Sequence, residues 1–123
     1  MNLIVDIGNS SVKLAVFEKQ TLIFLRREKA NDLEHSVLEI LNRFPKIKQI
    51  YVASVVAFDR SHFSKIFSSY KLFFLDSKSK FPFVNLYQTP ESLGPDRMAL
   101  VAAAVCKYAN QNVLIIDAGT CIT

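Results

Sequence analysis

Cysteine, histidine and long apolar runs are all scarce in this sequence. Its 123 residues hold two cysteines and two histidines. Cys106 and Cys121 have neither metal-binding nor redox spacing, so they read as free thiols in a reducing cytoplasm. His35 and His62 stand apart among polar neighbours on helical patterns, which argues against a zinc site. The apolar stretch from Met98 to Val105 is far shorter than the roughly 20 residues that cross a bilayer, so no membrane association is expected. The opening Met1-Asn2-Leu3-Ile4-Val5 is interrupted at once by Asp6, and no secretory signal is expected. Lysine and arginine are scattered, without the basic and aromatic clusters of a nucleic-acid reader. Neither a P-loop nor a dinucleotide fingerprint is present.

What is present suits an ordinary globular chain. Half of it is hydrophobic (50%), 21% is charged, and the formal net charge is +4. The length fits one domain with one core. A mildly basic balance suits an anionic ligand, and it equally suits a plain solvated surface.

The apolar pattern predicts strands at Leu3–Ile7, Val12–Glu18 and Thr21–Arg27, joined tightly as an antiparallel meander. Asn31 or Asp32 can cap a helix whose apolar face is Leu33, Val37, Leu38 and Leu41. Gln49–Val55 reads as a buried strand, and Asp59–Tyr70 as a helix with Phe63, Ile66 and Phe67 on one side. Lys71–Leu75 is a short strand. Asp76–Leu93 lacks periodicity and reads as a long loop, a kind of segment that is usually functional or mobile. Gly94 and Pro95 open an Ala-rich helix to about Ala109, and Val113–Ile116 is expected as one more buried strand. The order implies a mixed α/β domain.

One internal comparison stands out. Leu3-Ile4-Val5-Asp6-Ile7-Gly8-Asn9-Ser10 lines up with Leu114-Ile115-Ile116-Asp117-Ala118-Gly119-Thr120-Cys121. Both read as an apolar strand, then Asp-x-Gly, then a small polar residue. Either copy alone is weak evidence. Together they imply a duplicated fold, of which residues 1–111 are the first copy and residues 112–123 the start of a second. On that expectation the chain is a fragment of a protein about twice as long, and is inactive alone.

Three constellations suit phosphate chemistry. At Asp6-Ile7-Gly8-Asn9-Ser10-Ser11-Val12-Lys13 a strand ends in a carboxylate and turns at a glycine. Successive N–H groups there can form an anion site, Ser10 and Ser11 can donate, and Lys13 adds positive charge. Asp6 beside such a site suits Mg2+, which is held by one or two carboxylates, waters and phosphates. The same residues also fit a plain hairpin turn with a solvated Lys13. At Asp117-Ala118-Gly119-Thr120 the logic repeats: Thr120 can donate to phosphate and Asp117 can hold a cation. At Leu93-Gly94-Pro95-Asp96-Arg97 a helix begins, and helix N-termini favour anions. There Asp96 is either a simple charge partner of the helix or the acceptor of a substrate hydroxyl proton, with Arg97 pairing an anionic group.

Taken together, these motifs resemble the type III pantothenate kinases, a branch of the acetate and sugar kinase and actin superfamily. The first phosphate motif is similar to Asp6 through Lys13, with Ser10 where the family often has Thr. The G-x-D-R motif is similar to Gly94-Pro95-Asp96-Arg97, and it follows a Tyr-x-x-Pro stretch as here at Tyr87 to Pro90. The D-x-G-T-A-x-T motif is similar to Asp117 through Thr123, with Cys121 in place of Ala. The resemblance implies a ribonuclease H-like (actin-like ATPase) α/β fold, with a mixed five-stranded sheet, flanking helices and the first strand of a second domain. It implies ATP binding by Asp6, Ile7, Gly8, Asn9, Ser10, Ser11, Val12, Lys13 and Thr120. It implies pantothenate binding by Tyr87, Gly94, Pro95, Asp96 and Arg97, with Asp96 as general base. Asp117 would hold a monovalent cation (K+ or NH4+), and Asp6 would lie near Mg2+, through water. The implied protein is a cytoplasmic homodimer that phosphorylates pantothenate, the first step of coenzyme A synthesis. Two other readings compete: a non-catalytic regulator like the Bvg accessory factor, or another small-molecule kinase of the superfamily. Intact Asp6, Asp96 and Asp117 favour the enzyme.

Overall fold

Alternation decides the first strands. In β1 (Asn2–Ile7) Leu3, Val5 and Ile7 are buried; in β2 (Val12–Glu18) Val12, Leu14 and Val16 are. A period of two places each set on one face of a sheet. β3 (Thr21–Glu28) completes the expected antiparallel meander. The computed structural model describes residues 1–29 and 32–118.

Helix α1 (Leu33–Arg43) leads to β4 (Gln49–Ser54), and α2 (Arg60–Ile66) leads to β5 (Lys71–Phe74). β4 lies parallel to β1, and β5 parallel to β4. A parallel neighbour needs such a crossover. The sheet order is β3-β2-β1-β4-β5, which makes β1 central. Both helices begin on an aspartate. The Asp32 carboxylate accepts the His35 N–H at 3.3 Å, and the Asp59 carboxylate accepts the His62 N–H at 2.9 Å. Asn31, the other expected cap, lies outside the described residues.

The core gathers on one face of the sheet. Val37, Ile40 and Leu41 of α1 and Phe63 and Phe67 of α2 share it with Leu3, Val5, Leu14, Ile50 and Val52. Fully burying a side chain of this size contributes roughly 1.5–3 kcal/mol. Two expected core residues are corrected. Leu38 is 44% exposed and Ile66 38%. At 3.6 residues per turn Ile40 falls beside Leu33 and Val37, whereas Leu38 lies beyond Leu41 on the other side. The short α2 buries only Phe63 within its span, with Phe67 at its cap.

One irregularity sets the register of the meander. Phe17 faces Leu22, but Val16 faces Phe24, so Ile23 is an extra residue on β3. From that bulge onward Leu14 faces Arg26 and Lys13 faces Arg27.

The chain divides into two compact units, Met1–Phe74 and Leu75–Thr123. In the second, Asp76–Leu93 is a loop as expected, with a 3-10 turn at Pro90–Ser92. Helix α3 (Pro95–Lys107) follows, capped by Gly94 with Pro95 in its first turn. Met98 is the second unit's buried residue among those described. The strand expected at Val113–Ile116 is not formed: residues 112–117 carry no strand, and Leu114 is 85% exposed. The physical reason is pairing. β1 has a ladder on each side, whereas no strand among the described residues pairs with 112–117, and backbone groups without a ladder partner turn to water.

Candidate functional site

β1 ends where its chain must reverse into β2, and the turn Gly8–Ser11 does this. The Gly8 N–H donates to the Ser11 carbonyl at 3.0 Å. A Cβ on Gly8 would stand 3.1 Å from that same oxygen, a tight approach that favours glycine within the turn itself. Asn9 and Ser10 are exposed. Ile7 and Val12 flank the turn with their side chains in the core, so only their backbone is offered to a ligand. The Ile7 carbonyl already accepts the Val55 N–H at 3.0 Å. On the core side a cavity of about 290 Å3 is lined by Ile7, Val12, Leu33, Val56 and Phe63, among others. That lining is mostly apolar and does not suit phosphates.

The opposite sheet face carries a row of charged side chains. Asp6, Lys13 and Arg27 lie side by side on β1, β2 and β3. Lys13 Nζ is 3.1 Å from Asp6 Oδ2, with side chains 53% and 30% exposed. The carboxylate that was expected to call for a metal thus already has a cation beside it. Arg27 Nε donates to Ser11 Oγ at 3.0 Å. Arg27 was missed from the sequence, because only the register places it over the turn. The single signal was its nearness to the end of β3.

In the second unit, α3 starts at the Gly-Pro-Asp-Arg motif. Asp96 Oδ1 accepts the Arg97 N–H at 2.8 Å, one of the helix's unpaired first-turn donors. Oδ2 has no partner among the described residues. Arg97 is exposed. Tyr87 is 51% exposed, and its N–H is held by Asn85 Oδ1 at 3.0 Å. Asp117 is partly exposed. Thr120 lies outside the described residues, as does Cys121; Cys106 is a free, exposed thiol. The structure therefore brings Asp6, Ser11 and Lys13 together in the first unit, and groups Gly94 to Arg97 in the second. Among the described residues no three His, Cys, Asp or Glu side chains converge. Asp6 and Asp117 are single carboxylates, each able to anchor a cation whose other ligands come from elsewhere.

No helix among the described residues is long and apolar enough to cross a membrane. A solved structure of a candidate sugar kinase from Cytophaga hutchinsonii superposes with a TM-score of 0.50 at 16% identity, over 63% of this chain and 36% of that one. That likeness shows the fold, the α/β fold of the actin-like ATPases with its mixed five-stranded sheet and flanking helices. Among curated proteins, a type III pantothenate kinase of Christiangramia forsetii is 43% identical over all of this chain and 51% of its own length. That of Flavobacterium johnsoniae is 41% identical over all of this chain and 50% of its own. That of Aquifex aeolicus is 38% identical over 98% and 48%. The chain thus spans about half the length of the curated relatives it matches. The sequence model described as type III pantothenate kinase matches residues 2–123, a span that holds the Asp6–Lys13 turn and the Asp117 motif, and the chain belongs to that family.

Proposed function

We propose that the protein carrying this chain is an ATP-dependent kinase that phosphorylates pantothenate to 4′-phosphopantothenate, the first step of coenzyme A synthesis. The observation that carries this reading is the family match across residues 2–123, which includes all three motifs. In it, the turn from Asp6 to Lys13, with Thr120, binds the phosphates of ATP. Tyr87 and Gly94 to Arg97 bind pantothenate, and Asp96 takes the hydroxyl proton.

The geometry at α3 supports the role given to Asp96. The Arg97 N–H fixes Oδ1 at 2.8 Å and so orients the carboxylate, leaving Oδ2 for the incoming hydroxyl. As the hydroxyl oxygen bonds to the terminal phosphorus, the bond to the bridging oxygen of ADP breaks and the proton passes to Oδ2. Positioning dominates such a transfer, because its transition state is loose. Lys13 and the turn hold the phosphates; Asp6 fits the one-carboxylate share that Mg2+ takes from a protein, in direct contact or through water. When bound, Mg2+ would neutralise charge on the phosphates, and Asp117 would hold a K+ or NH4+ ion. We assign the working state as a cytoplasmic homodimer, with residues 1–111 and 112–123 belonging to successive domains.

The test is direct. The full protein is supplied with ATP, Mg2+, K+ and pantothenate, and the product is identified by mass. Phosphopantothenate is expected, and Asp96→Asn should lower kcat by about 10²–10⁴-fold without shifting the melting midpoint. No phosphorylation of pantothenate, or a fully active Asp96→Asn variant, would sink the reading.

A further inference from the structure

Two arginines follow one another on β3 and go to opposite faces. Arg26 faces α1, where Nη1 donates to Glu39 Oε2 at 2.9 Å and Nη2 to the Ser36 carbonyl at 3.1 Å. Its place is structural. Arg27 faces the other way, directly across from Lys13. Like charges directly opposite on neighbouring strands destabilise a sheet. Lys13 is relieved by Asp6, at 3.1 Å. Arg27 has no carboxylate among the described residues and leans toward the turn, where its Nε donates to Ser11 Oγ at 3.0 Å.

Two cations and one carboxylate therefore share a row beside the phosphate turn. Charges on an edge strand often serve only to keep other strands away, and solvent is enough for them. Arg27 does something different: it commits one nitrogen to a side chain of the turn. Its two Nη atoms have no partner among the described residues, and the residue is exposed. A planar fork of this kind matches the paired oxygens of a phosphate, in a way an ammonium does not.

We propose that Arg27 is a phosphate-binding and positioning residue of the nucleotide site, fixing Ser11 Oγ through Nε and receiving a phosphate group on its Nη atoms. This rests on reading the Asp6–Lys13 turn as the phosphate site, and not on which molecule accepts the phosphoryl group. It adds a third strand to a site that the motif confines to two.

The experiment titrates the full protein with inorganic tripolyphosphate, Mg-ATP and adenosine, for wild type, Arg27→Gln and Arg27→Lys. Arg27→Gln should weaken tripolyphosphate and Mg-ATP about tenfold, or about 1.4 kcal/mol, and leave adenosine unchanged. Arg27→Lys keeps the charge and loses the fork, so it should weaken both by about threefold, and it remains informative if the glutamine variant folds poorly. KM for ATP should rise with little change in KM for pantothenate. Wild-type affinity for tripolyphosphate in both variants would overturn the assignment, as would an equal loss for adenosine. A wild-type protein that bound neither tripolyphosphate nor Mg-ATP would overturn the phosphate-site reading as well, which separates the two failures.

Discussion

Lys13 and Gly8 show how differently two residues of one turn can matter. The Lys13–Asp6 pair is at the surface, and exposed pairs contribute about 0–1 kcal/mol. Lys13→Ala should therefore shift a thermal melt little, while Mg-ATP affinity falls by roughly 10- to 100-fold from loss of a charge-assisted contact. A large melt shift with unchanged affinity would assign Lys13 to structure alone. Gly8→Ala acts through shape. Its new Cβ would meet the Ser11 carbonyl at 3.1 Å, and that neighbour is backbone, which yields only by moving the turn. The expected cost is about 1 kcal/mol, and nucleotide affinity should fall with it. A melt and a titration matching wild type would show that the turn tolerates the shift.

At the scale of elements, the helix starts are testable in the same way. The Asp59 carboxylate satisfies the His62 N–H at 2.9 Å, so Asp59→Ala should cost about 1 kcal/mol, while Asp59→Asn should keep most of the cap. In a domain of this size the alanine variant should melt roughly 4–8 °C lower, and an unchanged midpoint would count against the cap. The elements themselves were largely legible in the sequence. The apolar run Leu3-Ile4-Val5 and the helical spacing of Phe63 and Phe67 are local signals that survive folding. Register was not legible. Pairing one for one from Glu18 and Thr21 would set Lys13 opposite Arg26. The bulge at Ile23 moves it to Arg27 and exchanges the faces of the two arginines, so one local irregularity decides which guanidinium reaches Ser11 in the turn. Val113–Ile116 failed for a related reason. Apolar composition says that a segment can be a strand, but a ladder also needs a neighbour, and composition does not supply one. The site was legible as motifs, because Asp-x-Gly and Gly-Pro-Asp-Arg are local. The Lys13–Asp6 contact was not, since it joins two strands across a turn.

The whole chain is uneven. Among the described residues the buried core lies before Leu75, apart from Met98. By contrast, Leu86, Leu114 and Ile116 are each more than two-thirds exposed. Exposed apolar surface favours association, so the purified chain should self-associate in light scattering as its concentration rises; a strictly monomeric chain would contradict this. The same division bears on time. Regions with few buried contacts open locally at little cost in free energy. Backbone amides of β1, β2 and β4 should outlast those of α3 in hydrogen exchange by orders of magnitude, and equal protection would refute the unevenness. The two sets of residues proposed for catalysis then have different lifetimes. The turn from Gly8 to Ser11 should keep its shape as long as the sheet does. The start of α3, with Asp96, re-forms after each opening. Pantothenate would then bind to a surface it must also help to order, and its affinity should weaken with temperature sooner than that of the nucleotide.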